Sequence, residues 1–147
     1  MPESKSKRMQ DELRKPGLNM AEILVPIFVE SRYKVNRKRI RNLVESLLNK
    51  HALSGKVEVS ITIVGDRKMR ELSKKYKGED KTRNVLSFPL AEGESAKSPI
   101  DVLFLGDVVI SYPEVIREAS REEVLVDEKI EQLVEHGIMH LLGINHE

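Results

Sequence analysis

The sequence predicts an α+β fold: a small mixed sheet of about four strands packed by surrounding helices, with a histidine-bearing helix near the C-terminus. Three observations predict it. Val57, Val59, Ile61 and Ile63 alternate with other residues, the period of a strand with one buried face. Ile40, Leu43, Val44, Leu47 and Leu48 recur at helical spacing, and so do Ile130, Leu133, Val134, Ile138 and Leu141. Strand and helix patterns interleave without an internal repeat, and 147 residues suit a single core.

Residues 1–18 are polar, rich in Lys and Arg, and end in Pro16-Gly17. They read as a flexible arm or leader, which leaves 19–147 as one domain. Residues 21–30 are apolar around Pro26 and read as an edge strand, since proline has no N–H for a ladder. Asn36 caps a helix to about residue 50, and Gly55 closes that unit. The alternating strand covers 56–64. Asp66 reads as the cap of a helix to about residue 76 that turns Met69 and Leu72 inward. Residues 77–84 form a charged loop, 85–88 a short strand stopped by Pro89, and 91–99 a surface loop. Residues 102–111 form one strand broken by a bulge at Gly106. Pro113 suits the first turn of the next helix, and Asp127 reads as the cap of the last one.

Composition excludes several classes. Apolar residues make up 39% of the chain, enough for a packed interior, so global disorder is excluded. Cysteine is absent, so any metal is held by His, Asp or Glu. The longest apolar runs, such as 23–29, are too short to span a bilayer, and no signal-peptide core is present; a cytoplasmic location is expected. The net charge of +1 conceals an asymmetry. Residues 1–83 hold 21 of the 25 Lys and Arg but 11 of the 24 acids, a balance of +10. Two readings follow: a surface that faces a polyanion, or two solvated faces of opposite sign.

The C-terminal residues carry the chemistry. His136 and His140 are four apart, so their imidazoles rise from one helix face about a turn from each other. Gly143 can adopt the left-handed conformation that ends the helix, and His146 follows as a third ligand. Three protein ligands leave a fourth position for water, as catalytic zinc sites do, so one zinc per chain is expected. The spacing is that of the metzincin peptidases, but Gly137 stands where they carry the Glu base, and Glu135 is rotated away from that position. A phosphodiester substrate fits a site with a metal and cations but no carboxylate base. His51 reads as a surface residue at a helix end.

With these residues in view, the chain resembles the YbeY-type endoribonucleases, bacterial ribosomal RNA maturation factors. The resemblance rests on three ordered motifs. They are His136-Gly137-x-x-His140-Leu141-x-Gly143-x-x-His146, the stretch 72–90 with Tyr76 and Asn84-Val85-Leu86-Ser87-Phe88-Pro89, and Leu105-Gly106-Asp107-Val108-Val109-Ile110-Ser111. It implies a small sheet with surrounding helices and zinc-dependent cleavage of single-stranded RNA. It also implies a role in small-subunit ribosomal RNA 3′-end maturation and ribosome quality control, with ribosome-associated proteins as partners.

The chain departs from the family pattern at three places. Lys77 replaces an Arg that the family carries after the Tyr, which keeps the charge but not the bidentate grip on phosphate. Asn145 replaces an Asp before the last His, and the further C-terminal helix of the family is not in this sequence. The resemblance makes Lys77 the catalytic cation. Lys74, Lys75, Lys77, Lys81 and Arg83 are the expected RNA-binding set, because phosphate contacts dominate affinity for nucleic acid. A second basic cluster, Arg32, Lys34, Arg37, Lys38, Arg39 and Arg41, opposes the dipole of its own helix, so helix stability does not explain it. With few aromatic residues, extensive base stacking is not expected. Residues 85–89 read either as a buried strand or as a cleft wall, and Asp107 reads as turn chemistry. A peptidase, or a non-catalytic ribosome-associated zinc module, are the competing functions.

Overall fold

The computed structural model describes residues 22–30, 32–51, 53, 55–90 and 102–144. The arm at 1–18 and the loop at 91–99 lie outside the described residues. In chain order the elements are β1 (Glu22–Leu24), β2 (Ile27–Val29), α1 (Arg37–Lys50), β3 (Lys56–Val64), α2 (Asp66–Lys77), β4 (Val85–Pro89), β5 (Val102–Ser111), α3 (Tyr112–Glu122) and α4 (Val126–Leu141).

β1 and β2 lie end to end along one side of β3, both parallel to it. On its other side β3 pairs in parallel with β5, which carries antiparallel β4 at the far edge. The mixed α+β architecture is as expected, with five strands in one sheet. The extra strand comes from Pro26, which splits the predicted edge strand into two three-residue pieces. The Pro26 carbonyl still accepts from the Ile61 N–H at 3.0 Å.

This edge accounts for part of the basic cluster on α1. Arg37 Nη1 donates to the Ile27 carbonyl at 2.8 Å, and Arg41 Nε to the Val25 carbonyl at 3.2 Å. Arg37 thus occupies an acceptor of an edge strand that would otherwise invite pairing with another chain, and Arg41 an acceptor in the link between β1 and β2. Arg39 Nη2 reaches Glu131 of α4 at 2.6 Å. These three cations hold the fold together, which explains the part of that cluster that helix stability did not.

The two sheet faces are unequal. Val57, Val59, Ile61 and Ile63 point to one face with Val108 and Ile110, all fully buried. α1 covers that face through Ile40, Val44 and Leu48, and α4 through Ile130, Val134 and Ile138. Each such side chain contributes about 1.5–3 kcal/mol by leaving water. α2 packs on the opposite face, where Met69 and Leu72 meet Val64, Leu86 and Val109.

Asn36 caps α1 as expected, accepting from the Arg39 N–H at 3.0 Å. The other two predicted caps lie one or two residues too far along. Gly65 and Leu125 occupy the N-cap positions of α2 and α4, without side-chain bonds. Asp66 and Asp127 fall in the first turns, where a carboxylate suits the positive end of the helix dipole. Asp66 instead accepts from Thr82 Oγ1 at 3.1 Å, Ser111 Oγ at 2.9 Å and Arg117 Nη2 at 2.8 Å. It joins the start of α2, the start of α3 and the segment after α2. His51 is the C-cap of α1 rather than a simple surface residue; its Nε2 is buried with no partner among the described residues.

Candidate functional site

α4 owes its orientation to its apolar stripe. Ile130, Leu133, Val134, Ile138 and Leu141 are buried, so the opposite face of the helix turns outward. His136 and His140 are exposed there, one turn apart. Neither imidazole enters a hydrogen bond or ion pair among the described residues, so their ring nitrogens are available to a metal. The helix ends as the spacing requires. Gly143 has φ of +77°, its N–H meets the His140 carbonyl at 3.0 Å, and the Ile144 N–H meets the Met139 carbonyl at 2.9 Å. This is a Schellman reversal, with Ile144 packed back on the core. His146 and Asn145 lie outside the described residues. Among the described residues no third His, Asp or Glu completes a metal-binding group with His136 and His140.

Gly137, between the two histidines, faces the sheet. A β-carbon there would stand 2.6 and 2.9 Å from the Val108 methyls and 3.1 Å from Ser87 Oγ. The Ser87 hydroxyl donates to the Gly137 carbonyl at 3.3 Å. The position where metzincin peptidases carry their Glu base therefore points into β4 and β5 and has no room for a side chain. Of the two readings of 85–89, this contact supports the packed strand: β4 lies directly against the histidine helix. Ser87 and Val108 are the positioning residues that sequence reasoning did not single out; a small hydroxyl residue on a strand and a glycine on a helix were the local signals.

β5 holds the other glycine that the geometry demands. Gly106 has φ of 142°, and a β-carbon there would collide with the Phe88 carbonyl. The register of β3 with β5 shifts at this point, which confirms the predicted bulge. Asp107 follows within the strand and not in a turn, and it accepts a hydrogen bond from the Ser60 hydroxyl. Strand pairing, not turn chemistry, accounts for its place. Asp107 pairs across from Phe88, on the same sheet face as α2.

The expected RNA-binding cations fall into two groups. Lys74, Lys75 and Lys77 are exposed at the end of α2 and enter no ion pair among the described residues. Lys81 and Arg83 are engaged with Glu79, at 2.9 and 2.5 Å, and Arg83 Nε also donates to the buried Ser73 hydroxyl at 3.1 Å. The Lys81 hydrogen bond, and then the Arg83 charge, hold the Glu79 carboxyl below the usual range. α2 and α4 pack on opposite faces of the sheet, so Lys77 and the histidines are not in contact; the edge strand β4 lies between them. Surface grooves of about 430 and 450 Å³ run along α1 and β1, and neither is lined by His136 or His140.

The endoribonuclease YbeY family model matches residues 27–147, the span that includes both histidines and the strands behind them. The chain belongs to the endoribonuclease YbeY family. It is thus a hydrolase of the endoribonuclease class. The endoribonuclease YbeY of Syntrophus aciditrophicus is 36% identical over 118 residues, which cover 80% of this chain and 72% of that protein. The endoribonuclease YbeY of Aquifex aeolicus is 39% identical over 114 residues, 78% of this chain and 72% of the relative. The solution structure of a Thermotoga maritima protein aligns with a TM-score of 0.55 at 26% identity, covering 84% of this chain and 75% of that one. Within this YbeY-family fold no described helix is long and apolar enough to cross a membrane.

Proposed function

We propose that the chain is a zinc-dependent endoribonuclease that hydrolyses single-stranded RNA, with His136, His140 and His146 as the metal ligands. The observation that carries the reading is the pair of exposed imidazoles one turn apart on α4, without a hydrogen bond or ion pair among the described residues, followed by the Gly143 reversal. The donor set is imidazole nitrogen, which suits zinc. When bound, zinc supplies Lewis acidity that makes water a usable nucleophile near neutral pH.

The chain's own residues divide the remaining tasks. Ser87 fixes the helix turn between the two histidines by its bond to the Gly137 carbonyl. Lys77 neutralises charge that develops on the scissile phosphate, and Lys74 and Lys75 draw the RNA backbone to the same edge of the sheet. Lys81 and Arg83 contribute positive potential while also shaping the segment after α2. Hydrolysis forms one P–O bond to the water oxygen and breaks one to a ribose oxygen, which takes up a proton. The closed packing at Gly137 speaks against a peptidase that relies on a Glu base at that position. In the cell the RNA is ribosomal: the proposed role is small-subunit 3′-end maturation and ribosome quality control in the cytoplasm, beside ribosome-associated proteins. The family resemblance supports this assignment.

The test is cleavage of an RNA with a single-stranded tail by purified protein. Cleavage within the tail, lost on chelation and restored by zinc, is the expected result. Zinc-replete protein that binds the RNA but leaves it whole would return the chain to a non-catalytic zinc module.

A further inference from the structure

Tyr33 and Tyr112 both serve the fold. Their rings stack with centroids 4.5 Å apart, and the Tyr112 hydroxyl donates to the Lys34 carbonyl at 3.1 Å. Tyr76 has no comparable duty. It is 54% exposed and lies outside the small core that Met69 and Leu72 form beneath α2. Its hydroxyl enters no hydrogen bond among the described residues. Yet the ring is held in place: Phe88 of β4 meets it in an edge-to-face arrangement, with centroids 5.0 Å apart and planes at 64°. An exposed aromatic ring braced by a second ring retains its orientation without losing access to solvent.

Its surroundings are cationic. The Lys75 ammonium lies 5.1 Å from the ring centroid, and Lys74 and Lys77 flank it on the last turn of α2. Lys75 is itself exposed, so its side chain can swing from the ring to a phosphate without disturbing packing. The brace also leads toward the histidines. Phe88 adjoins Ser87, whose hydroxyl is bonded to the Gly137 carbonyl, one residue from His136. Because β4 is the sheet edge, a single strand that crosses it meets the tyrosine on one side and the histidine helix on the other.

We propose that Tyr76, braced by Phe88 and flanked by Lys75 and Lys77, is a stacking subsite for one unpaired base of the RNA substrate. The proposal rests on the RNA-cleaving reading above and adds a specific contact to it. An aromatic face recognises any base by stacking, and neighbouring ammonium groups take the adjoining phosphates. One such platform agrees with the low aromatic content, which argues only against a run of stacked bases.

The experiment is equilibrium binding of a short single-stranded RNA at low salt, compared with the same ribose–phosphate chain made abasic throughout. Wild type, Tyr76→Ala, Tyr76→Leu and Tyr76→Phe are measured on both. Tyr76→Ala and Tyr76→Leu should weaken binding of the intact RNA about tenfold, while Tyr76→Phe binds within about twofold of wild type. On the abasic chain all four should bind alike. Tyr76→Leu preserves apolar contact with Phe88 and so separates stacking from fold stability should the alanine variant unfold. Intact RNA bound equally by wild type and Tyr76→Leu overturns the subsite, as does an equal loss on the abasic chain. A wild type that binds no RNA overturns the functional reading together with the subsite.

Discussion

Gly137 and Val108 are packed so closely that a β-carbon on the glycine would lie 2.6 Å from the valine Cγ1. This contact sets how deeply the histidine helix sits on the sheet. Gly137→Ala gains about 1 kcal/mol of helix propensity, but overpacking against Val108 costs about 1–3 kcal/mol. A net loss of stability is expected, read as a lower urea midpoint, and Val108→Ala in the same chain should recover part of it. A midpoint equal to or above wild type for Gly137→Ala alone would show that α4 can lift from the sheet without cost.

The metal site is tested by stoichiometry. Wild type should hold about one zinc per chain, removed by chelation, because three imidazoles leave one position for solvent. His140→Ala deletes one of the two proposed ligands that lie among the described residues. Its zinc content should fall well below one per chain. Full occupancy in that variant would place the metal elsewhere.

Lys77 is proposed to act on the phosphate and not on the metal; it stands at the end of α2, across β4 from the histidines and not in contact with them. Lys77→Ala should lower the single-turnover cleavage rate about a hundredfold, the scale for loss of one contact to developing charge. Zinc content should stay at the wild-type level. Lys77→Arg should retain the rate or raise it, since a guanidinium can grip phosphate through two bonds. Equal rates for wild type and Lys77→Ala would move the functional cation to another residue.

Asp66 makes stability depend on acidity. Burial by itself raises its carboxyl, but hydrogen bonds from Arg117, Ser111 and Thr82 together bring it below the ordinary value. A carboxyl depressed in the folded state stabilises the protein above its unfolded pKa of about 3.9, and that contribution is lost as pH falls through the folded value. Wild type should therefore exceed Asp66→Asn in denaturant midpoint at neutral pH, and the gap should narrow below about pH 4. A gap of the same size at pH 3 and pH 7 would show that the charge on Asp66 is not what joins α2 to α3.

Reading along the chain was enough for whatever repeats over a few residues. The period of Val57, Val59, Ile61 and Ile63 identified the central strand, and the four-residue step from His136 to His140 put both imidazoles on one face. Gly143 was legible for the same reason, because helix termination is a local backbone event. Caps were less legible: Asp66 looks like a cap in its neighbourhood, but Thr82, Ser111 at the end of β5 and Arg117 of α3 draw its carboxylate away. What lay beyond the sequence was every contact that joins distant segments. Ser87 meets Gly137 across 50 positions, and Ser60 meets Asp107 across 47. Arg37 and Arg41 looked like free cations until Ile27 of β2 and Val25 just before it supplied their carbonyls, and α2 faces away from α4 only because the sheet stands between them. Periodicity records which side of an element is buried; which partner buries it, and what that leaves exposed beside it, is settled by the packing of the whole chain.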